Sequence, residues 1–434
     1  MTPLHITLLI FCLLPLPILG NAYPLDGYQA TGIRRIEAAR LAQDGVLRGR
    51  KQPPGALLST EQVDLRLLGY PDIDLPAPNM TFTRQVVHLL GDHAERYGVA
   101  VLDLSDPDHP RYAEHRGDWQ QNVGSVGKLM VALGLFQSLA DIYPDDLEAR
   151  RRILWQTVVT ADAFIQFDHH KVRLWNPESG ALSFRPLRAG DRGSLGEYLD
   201  WMLSASSNAA ASMVMKHLML LVHFGKAYPV SEADRARFFQ VTPKAKLGQL
   251  LASALQEPIT RNGLRLERIR QGSFFTREGK RRVPGTSSYA TPRELMRLCL
   301  KMEQGKLVDA FSSRELKRLL YMTERRIRYA SSPALMPAAV YFKSGSLYSC
   351  KPEQGVRCKK YHGNLKNYMT SVALVESPAA TRQQFYMTTL LSNVLRQNAA
   401  VGHQTLATRI HRLIGTLHPP ARAASEQSGH PKTQ

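Results

Sequence analysis

The spacing of apolar positions changes along the chain, and the changes divide it into elements. Gly98 to Leu104 reads Gly-Val-Ala-Val-Leu-Asp-Leu, an apolar run too short for a helix and followed by the turn Asp106-Pro-Asp-His-Pro110. It predicts a buried strand, with Arg111 to Arg116 as a second. Upstream, Val86, Val87, Leu89 and Leu90 predict a helix over Thr83–Arg96. From Ser125 the period becomes helical: Val126, Leu129, Met130, Leu133 and Phe136 recur until Pro144 ends the element. Ser194-Leu-Gly-Glu197 has capping-box spacing and opens a helix through Leu203. A polar break, Ser204 to Asn208, precedes Ala209–Leu221, which is apolar nearly all round and so is predicted to be buried. Pro243–Leu255 is a further helix. Thr291-Pro-Arg-Glu294 repeats the capping-box spacing with Pro at the first helical position, in a helix that ends near Gly305. Val340–Ser346, Asn367–Glu376 and Gln383–Leu391 read as three strands in series, and Val401–Leu413 as a final helix.

Helix, two strands, a long helical middle, three strands, helix: this order predicts an α+β fold. It is one antiparallel β-sheet flanked by helices, with an all-helical subdomain inserted. Residues 23–78, rich in Pro and Arg, are expected to form an accessory N-terminal arm with a short helical pattern from Ile33 to Leu47. The polar tail 417–434 is expected to be disordered. Residues 1–22 read as a signal peptide. An uncharged apolar run, Ile6 to Leu14, leads to Gly20-Asn21-Ala22, whose small residues suit cleavage after Ala22. The implied location is exported, periplasmic or extracellular. No transmembrane span is expected in the mature chain.

Composition adds one unusual feature. The 434 residues carry 56 Lys+Arg against 37 Asp+Glu, a formal net charge of +19, in a chain that is 44% hydrophobic. Disorder is excluded, and the length suffices for a sizeable core. Such a surplus suits an anionic partner. The basic residues are scattered in short clusters, such as Arg48 to Lys51 and Arg325 to Arg328, and no nucleic-acid motif accompanies them. With export, this argues against nucleic acid and for solvated basic faces suited to an anionic cell envelope.

The 4 cysteines exclude a disulfide-dense scaffold. Cys350 and Cys358 lie close in a polar, Gly-containing stretch and form the disulfide candidate in an oxidising compartment. Cys299 sits on an apolar helical face and reads as a buried small hydrophobe. His169-His170 lacks metal-binding spacing, so no metal site is expected there. Asn79-Met-Thr81 is a glycosylation sequon by pattern only.

Three motifs carry candidate chemistry. Ser125-Val-Gly-Lys128 places an ammonium beside a hydroxyl on one face of a helix start. Serine is a weak nucleophile until a base takes its proton, and a lysine with a depressed pKa can be that base. Ser206-Ser207-Asn208 lies at the junction of two helices, where it can present a hydroxyl and an amide to a cleft. Lys343-Ser344-Gly345 falls inside a strand, where glycine is unfavourable unless something approaches closely.

Taken together, S-x-x-K, S-x-N and K-[ST]-G occur in this order and in these contexts. The set resembles the penicillin-recognising serine enzymes, namely class A β-lactamases and DD-peptidase penicillin-binding proteins. Ser206-Ser-Asn-Ala-Ala-Ala211, Pro284-Gly285 and Ala290-Thr-Pro-Arg-Glu-Leu295 resemble the corresponding family stretches, and the likeness spans about residues 80–415. It implies a β-lactamase/transpeptidase-like catalytic domain over residues 79–416. The implied activity is hydrolysis of an amide, in a β-lactam or a D-Ala-D-Ala-like peptide, through an acyl-Ser125 intermediate and with no metal or organic cofactor. By the same resemblance, Ser125 is the nucleophile and Lys128 its candidate base. Ser206 and Lys343 relay a proton to the leaving nitrogen. Lys343 and Ser344, beside Gly345, hold the substrate carboxylate, and Asn208 orients Lys128 and substrate. The N–H groups of Ser125 and Ser346 form an oxyanion hole.

Departures from the pattern qualify this. The stretches from Ser125 to Ser206 and from Ser206 to Lys343 are longer than in compact class A enzymes. The middle of S-x-N is Ser207 rather than Asp. Leu264-Arg-Leu-Glu-Arg-Ile-Arg270 resembles the approach to the Ω-loop Glu that activates the deacylating water, yet Arg270 stands in its place. Glu267 and Glu278 are nearby acids. A DD-peptidase acting on cell-wall peptide and a noncatalytic envelope-binding protein on the same fold stay open as alternatives.

Overall fold

A computed structural model describes residues 26–49, 51–323, 326–353 and 357–419. The predicted signal peptide and most of the tail therefore lie outside the described residues. The centre is a five-stranded antiparallel sheet. Its strands are β1 (Tyr97–Asp103), β2 (Arg111–His115), β3 (Ala339–Ser349), β4 (Lys366–Ser377) and β5 (Gln384–Asn393), in the order β2-β1-β5-β4-β3. The first two strands and the last three thus meet across the whole intervening helical region, β1 pairing with β5 from Tyr97↔Ser392 to Asp103↔Tyr386. Strand β3, which carries the Lys-Ser-Gly motif, is an edge.

Alternation along the strands builds two cores. Val99 and Val101 face one side, with Val340, Phe342, Ala373, Val375 and Tyr386. That side is covered by helices α2 (Met80–His88) and α9 (Ala399–Leu417), through Phe82, Val86, Leu406, Ile410 and Ile414. Ala100, Leu102, Tyr341, Val372, Leu374 and Met387 face the other side, in a larger core shared with the helical region. There α3 (Lys128–Ile142), α4 (Leu195–Leu203), α5 (Asn208–Phe224), α6 (Lys244–Arg261), α7 (Pro292–Glu303) and α8 (Ala310–Tyr321) pack together. Helix α5 is buried from Ala209 to Leu221, as its all-round apolar sequence requires.

Several boundaries differ from expectation for identifiable reasons. The pattern Thr83–Arg96 is split into α2, N-capped by Asn79 accepting from the Phe82 N–H, and a 3-10 segment, Gly91–Arg96. Ser194–Glu197 is a reciprocal capping box. At Thr291 only half of the box forms, because the Glu294 carboxylate accepts instead from the Arg265 N–H at 2.8 Å and pairs with Arg297. The hairpin Lys171–Asn176/Ala181–Pro186 and the helices Leu147–Gln156, Glu232–Val241 and Ala310–Tyr321 were not legible from period alone. Contrary to the expectation of no further membrane-length segment, Gly124–Ile142 is long and apolar enough to span one. It is mostly buried in the protein, as a core helix is.

Residues 26–75 lie against this body. Helix α1 (Arg34–Gln43) is held by Arg35, whose guanidinium makes two 2.6 Å bonds to buried Asp200. Downstream, Leu58, Val63 and Leu67 enter the main core.

Candidate active site

Ser125 lies in the 3-10 turn Gly124–Gly127, which continues directly into α3 at Lys128. One turn brings Lys128 Nζ to 3.1 Å from Ser125 Oγ. The ammonium also donates to the Ser206 carbonyl at 2.6 Å and to Asn208 Oδ1 at 2.8 Å. Lys343, from strand β3, donates to Ser206 Oγ at 2.9 Å and to the Ser344 carbonyl at 3.0 Å. The Ser206 hydroxyl therefore lies between two lysines, 3.5 Å from Lys128 Nζ. Ser206 occupies the left-handed region at φ 60°, unusual for a residue with a side chain, and its turn joins α4 to α5.

Burial governs the electrostatics. Lys128 is fully buried, which pushes its ammonium down to about 7; Asp168 opposes this shift and Arg328 adds to it. Burial pushes Lys343 well below the usual lysine range, and the charges of Lys128 and Arg328 push it further. Two buried lysines sharing one hydroxyl cannot both hold a proton comfortably near neutral pH. A neutral amine at hydrogen-bond distance from a serine hydroxyl is a competent base.

Two glycines make the close approach possible. A Cβ on Gly345 would lie 1.9 Å from the Val123 carbonyl oxygen and 2.7 Å from the Ser125 nitrogen. Strand β3 thus packs backbone to backbone on the serine turn, which sets the Ser346 and Ser125 main chains side by side. At Gly127, a Cβ would lie 2.0 Å from Gln271 Oε1, so a larger residue would have to displace that buried amide.

Arg328 was not singled out by the sequence, where it belongs to a cluster expected on a solvated face. Its guanidinium instead donates to Ser344 Oγ at 2.7 Å, Ser346 Oγ at 3.1 Å and the Tyr361 hydroxyl at 2.9 Å. It also lies 4.9 Å from the centre of the Tyr361 ring. Ser344 and Ser346 share one face of β3 by the two-residue repeat, the only sequence signal available. Tyr361 arrives from the β3–β4 connection, which is closed by a disulfide between Cys350 and Cys358.

Among the described residues, no acid of the Ω-loop stretch bonds Lys128. Arg270 bonds Ser287 and stacks on Tyr289. Glu267 is exposed. Glu278 is consumed by Arg281 and Arg282, at 2.6 and 2.7 Å. The Phe275 ring lies 4.8 Å from Lys128 Nζ.

Asp168, His169 and His170 bring potential metal-ligating atoms within 4.8 Å of one another. Both Asp168 oxygens are already engaged, by His170, Ser207 and the Ala209 N–H.

No family model matches the chain, and no curated protein does. Solved structures do. A β-lactamase from Sphaerobacter thermophilus superposes with a TM-score of 0.50 at 13% identity, covering 78% of this chain and 99% of that one. A structure described as PBP-A gives 0.48 at 14% identity, over 79% and 99%. A β-lactamase from Xanthomonas campestris gives 0.48 at 14%, over 77% and 98%. The fold is that of the serine β-lactamases, an antiparallel sheet with a helical subdomain.

Proposed function

We propose that this chain, which carries the β-lactamase/transpeptidase fold, is a serine hydrolase that cleaves an amide through an acyl-Ser125 intermediate. The observation that carries the reading is the 3.1 Å contact between Ser125 Oγ and a buried Lys128 whose ammonium is pushed down to about 7. The neutral Lys128 amine takes the Ser125 proton as Oγ attacks the carbonyl carbon. The Ser125 and Ser346 N–H groups stabilise the resulting oxyanion. The proton now on Lys128 passes through the Ser206 hydroxyl, which Lys343 bonds at 2.9 Å, to the departing nitrogen, and the C–N bond breaks to leave an ester on Ser125. Arg328, Lys343 and Ser344 supply positive charge and a hydroxyl for a substrate carboxylate. A β-lactam and a D-Ala-D-Ala-like peptide both present that carboxylate beside an amide.

Hydrolysis of the ester needs a water. The Phe275 ring beside Lys128, with Glu278 held by two arginines, favours slow deacylation and hence the peptidase-like variant of this reading. A pure binding protein is disfavoured, because it needs no buried lysine against a serine. Export belongs to the same proposal, as does attraction to an anionic envelope. Salt-sensitive binding to isolated cell walls is the expected sign of the latter.

The test is labelling with a fluorescent penicillin. The account expects an adduct on the wild type that survives denaturation, and none on Ser125→Ala. Absence of both labelling and turnover, with β-lactams and cell-wall peptides alike, would overturn it.

A further inference from the structure

We infer that Asp168 is a positioning residue of this site: its carboxylate clamps the Ser206–Asn208 turn from outside the motif and supplies the negative charge that Lys128 faces. The inference rests on Lys128 acting as the acylation base. The Asp168 side chain is 2% exposed. Its Oδ2 accepts from Ser207 Oγ at 3.0 Å and from the Ala209 N–H at 2.8 Å. Its Oδ1 accepts from the N–H groups of His169 and His170, at 2.9 and 3.2 Å, and contacts His170 Nδ1 at 2.5 Å.

These bonds tie two distant segments together, since Asp168 and Ser207 are 39 residues apart. Ser207 is also the N-cap of α5, its hydroxyl accepting from the Ala210 N–H at 3.1 Å while donating to Asp168. The Ala209 N–H is one of the donors that a helix start leaves without an intrahelical partner. One carboxylate thus fixes Ser207 and Ala209, the residues on either side of Asn208. Ser206 itself, at φ 60°, offers its carbonyl to Lys128 and its hydroxyl to Lys343. The position of both lysines relative to Ser125 depends on this turn staying in place.

The Asp168 charge acts apart from its bonds. The groups around Lys128 are Ser125, Ser206 and Asn208 by hydrogen bonds, the Phe275 ring, the cations Lys343 and Arg328, and the Asp168–His170 pair. Asp168 is the acid among them. Burial pushes its carboxyl up, but the bonds from His170 and the Ala209 N–H hold it well below the usual range, so it is charged at neutral pH. A fixed anion favours protonated Lys128 and opposes the burial that pushes the ammonium down. Without it, Lys128 loses its proton at lower pH.

Three variants of the full chain test this: Asp168→Asn, Asp168→Ala and Ser207→Ala. Asparagine keeps one acceptor oxygen but removes the charge. Ser207→Ala keeps the charge but cuts one bond of the clamp. Two readouts are taken for each, the pH profile of acylation by a fluorescent penicillin and the titration of Lys128 by carbon NMR with ε-13C-lysine, assigned by loss of the signal in Lys128→Met. Asp168→Asn is expected to move the acid limb of acylation and the Lys128 titration together to lower pH. Ser207→Ala should lower the acylation rate constant with both left in place. Asp168→Ala should lose about 100-fold in acylation, since a misplaced reacting group costs that much, with Asp168→Asn falling less.

An unchanged Lys128 titration in Asp168→Asn would overturn the inference, because a merely structural carboxylate leaves it unmoved. A shifted titration in a protein that penicillin and cell-wall peptides never acylate would support the placement of Asp168 while sinking the hydrolase reading.

Discussion

Lys128 concentrates the chemistry of the molecule in one ammonium, and its burial sets the pH at which it works. Because the folded protein pushes it down to about 7, acylation should rise as pH passes upward through about 7 and level off above. A stopped-flow pH profile checks this, and a profile flat between pH 5 and 9 would contradict it. Arg328 makes a different prediction. Arg328→Ala should raise KM for substrates with a carboxylate by about 10- to 100-fold, the worth of one charged hydrogen-bonded contact. It should leave acylation by an uncharged ester nearly unchanged, and steady-state kinetics with the two substrate types separates the effects. Ser125, Lys128, Ser206, Asn208 and Lys343 were legible in the sequence because each sits in a short motif whose spacing is set by local geometry. Arg328, Phe275 and Asp168 were not. Their importance comes from which segment the fold lays against which, and none has a neighbour in sequence that announces it.

Among the elements, strand β3 is the one whose sequence answers most directly to the site. Its glycine is required by the Val123 carbonyl, 1.9 Å from where a Cβ would fall. Gly345→Ala should therefore push the strand away from the serine turn, costing about 1–3 kcal/mol by overpacking. Acylation should fall more than stability does, and urea unfolding beside labelling rates distinguishes the two losses. Alternation on β1 and the all-round apolar character of α5 were readable because a period of two and the absence of a polar face each have one structural meaning. The Thr291 box does not close because its glutamate has a tertiary partner, the Arg265 N–H. The hairpin Lys171–Asn176/Ala181–Pro186 is not announced in the same way, because Leu182 and Phe184 alternate with polar residues yet stay exposed, so that alternation marks no core face.

At the scale of the whole molecule, the net charge of +19 is not all on the surface. Arg35, Lys128, Lys317 and Lys343 are buried. Lys317 is fully buried between Glu303 and Glu376, at 2.7 and 2.8 Å, and also donates to the Asp64 carbonyl at 2.7 Å. Arg66 reaches the same Glu376 at 2.9 Å. This network ties residues 64–66 to helices α7 and α8 and to strand β4. Lys317→Ala leaves buried Glu303 without its cation and Glu376 with Arg66 alone, and should cost about 3–5 kcal/mol in chemical denaturation. Acid should also destabilise the fold. His403 is fully buried between Ser371 and Ser392, and burial pushes it from 6.5 down to about 3. A depressed histidine contributes stability that is fully present above the unfolded value of 6.5 and is lost as pH falls from there toward about 3. Denaturant midpoints measured from pH 7 to pH 4 should fall, and His403→Gln should flatten that slope while lowering stability at pH 7.

The central claim is that Ser125 forms a covalent acyl-enzyme. Time-resolved intact-protein mass spectrometry with penicillin, followed by peptide mapping, tests it most directly. The account predicts one added penicillin mass, mapped to Ser125, that decays slowly and is absent from Ser125→Ala. An adduct mapped to another residue, or penicillin turned over equally by Ser125→Ala, would contradict it.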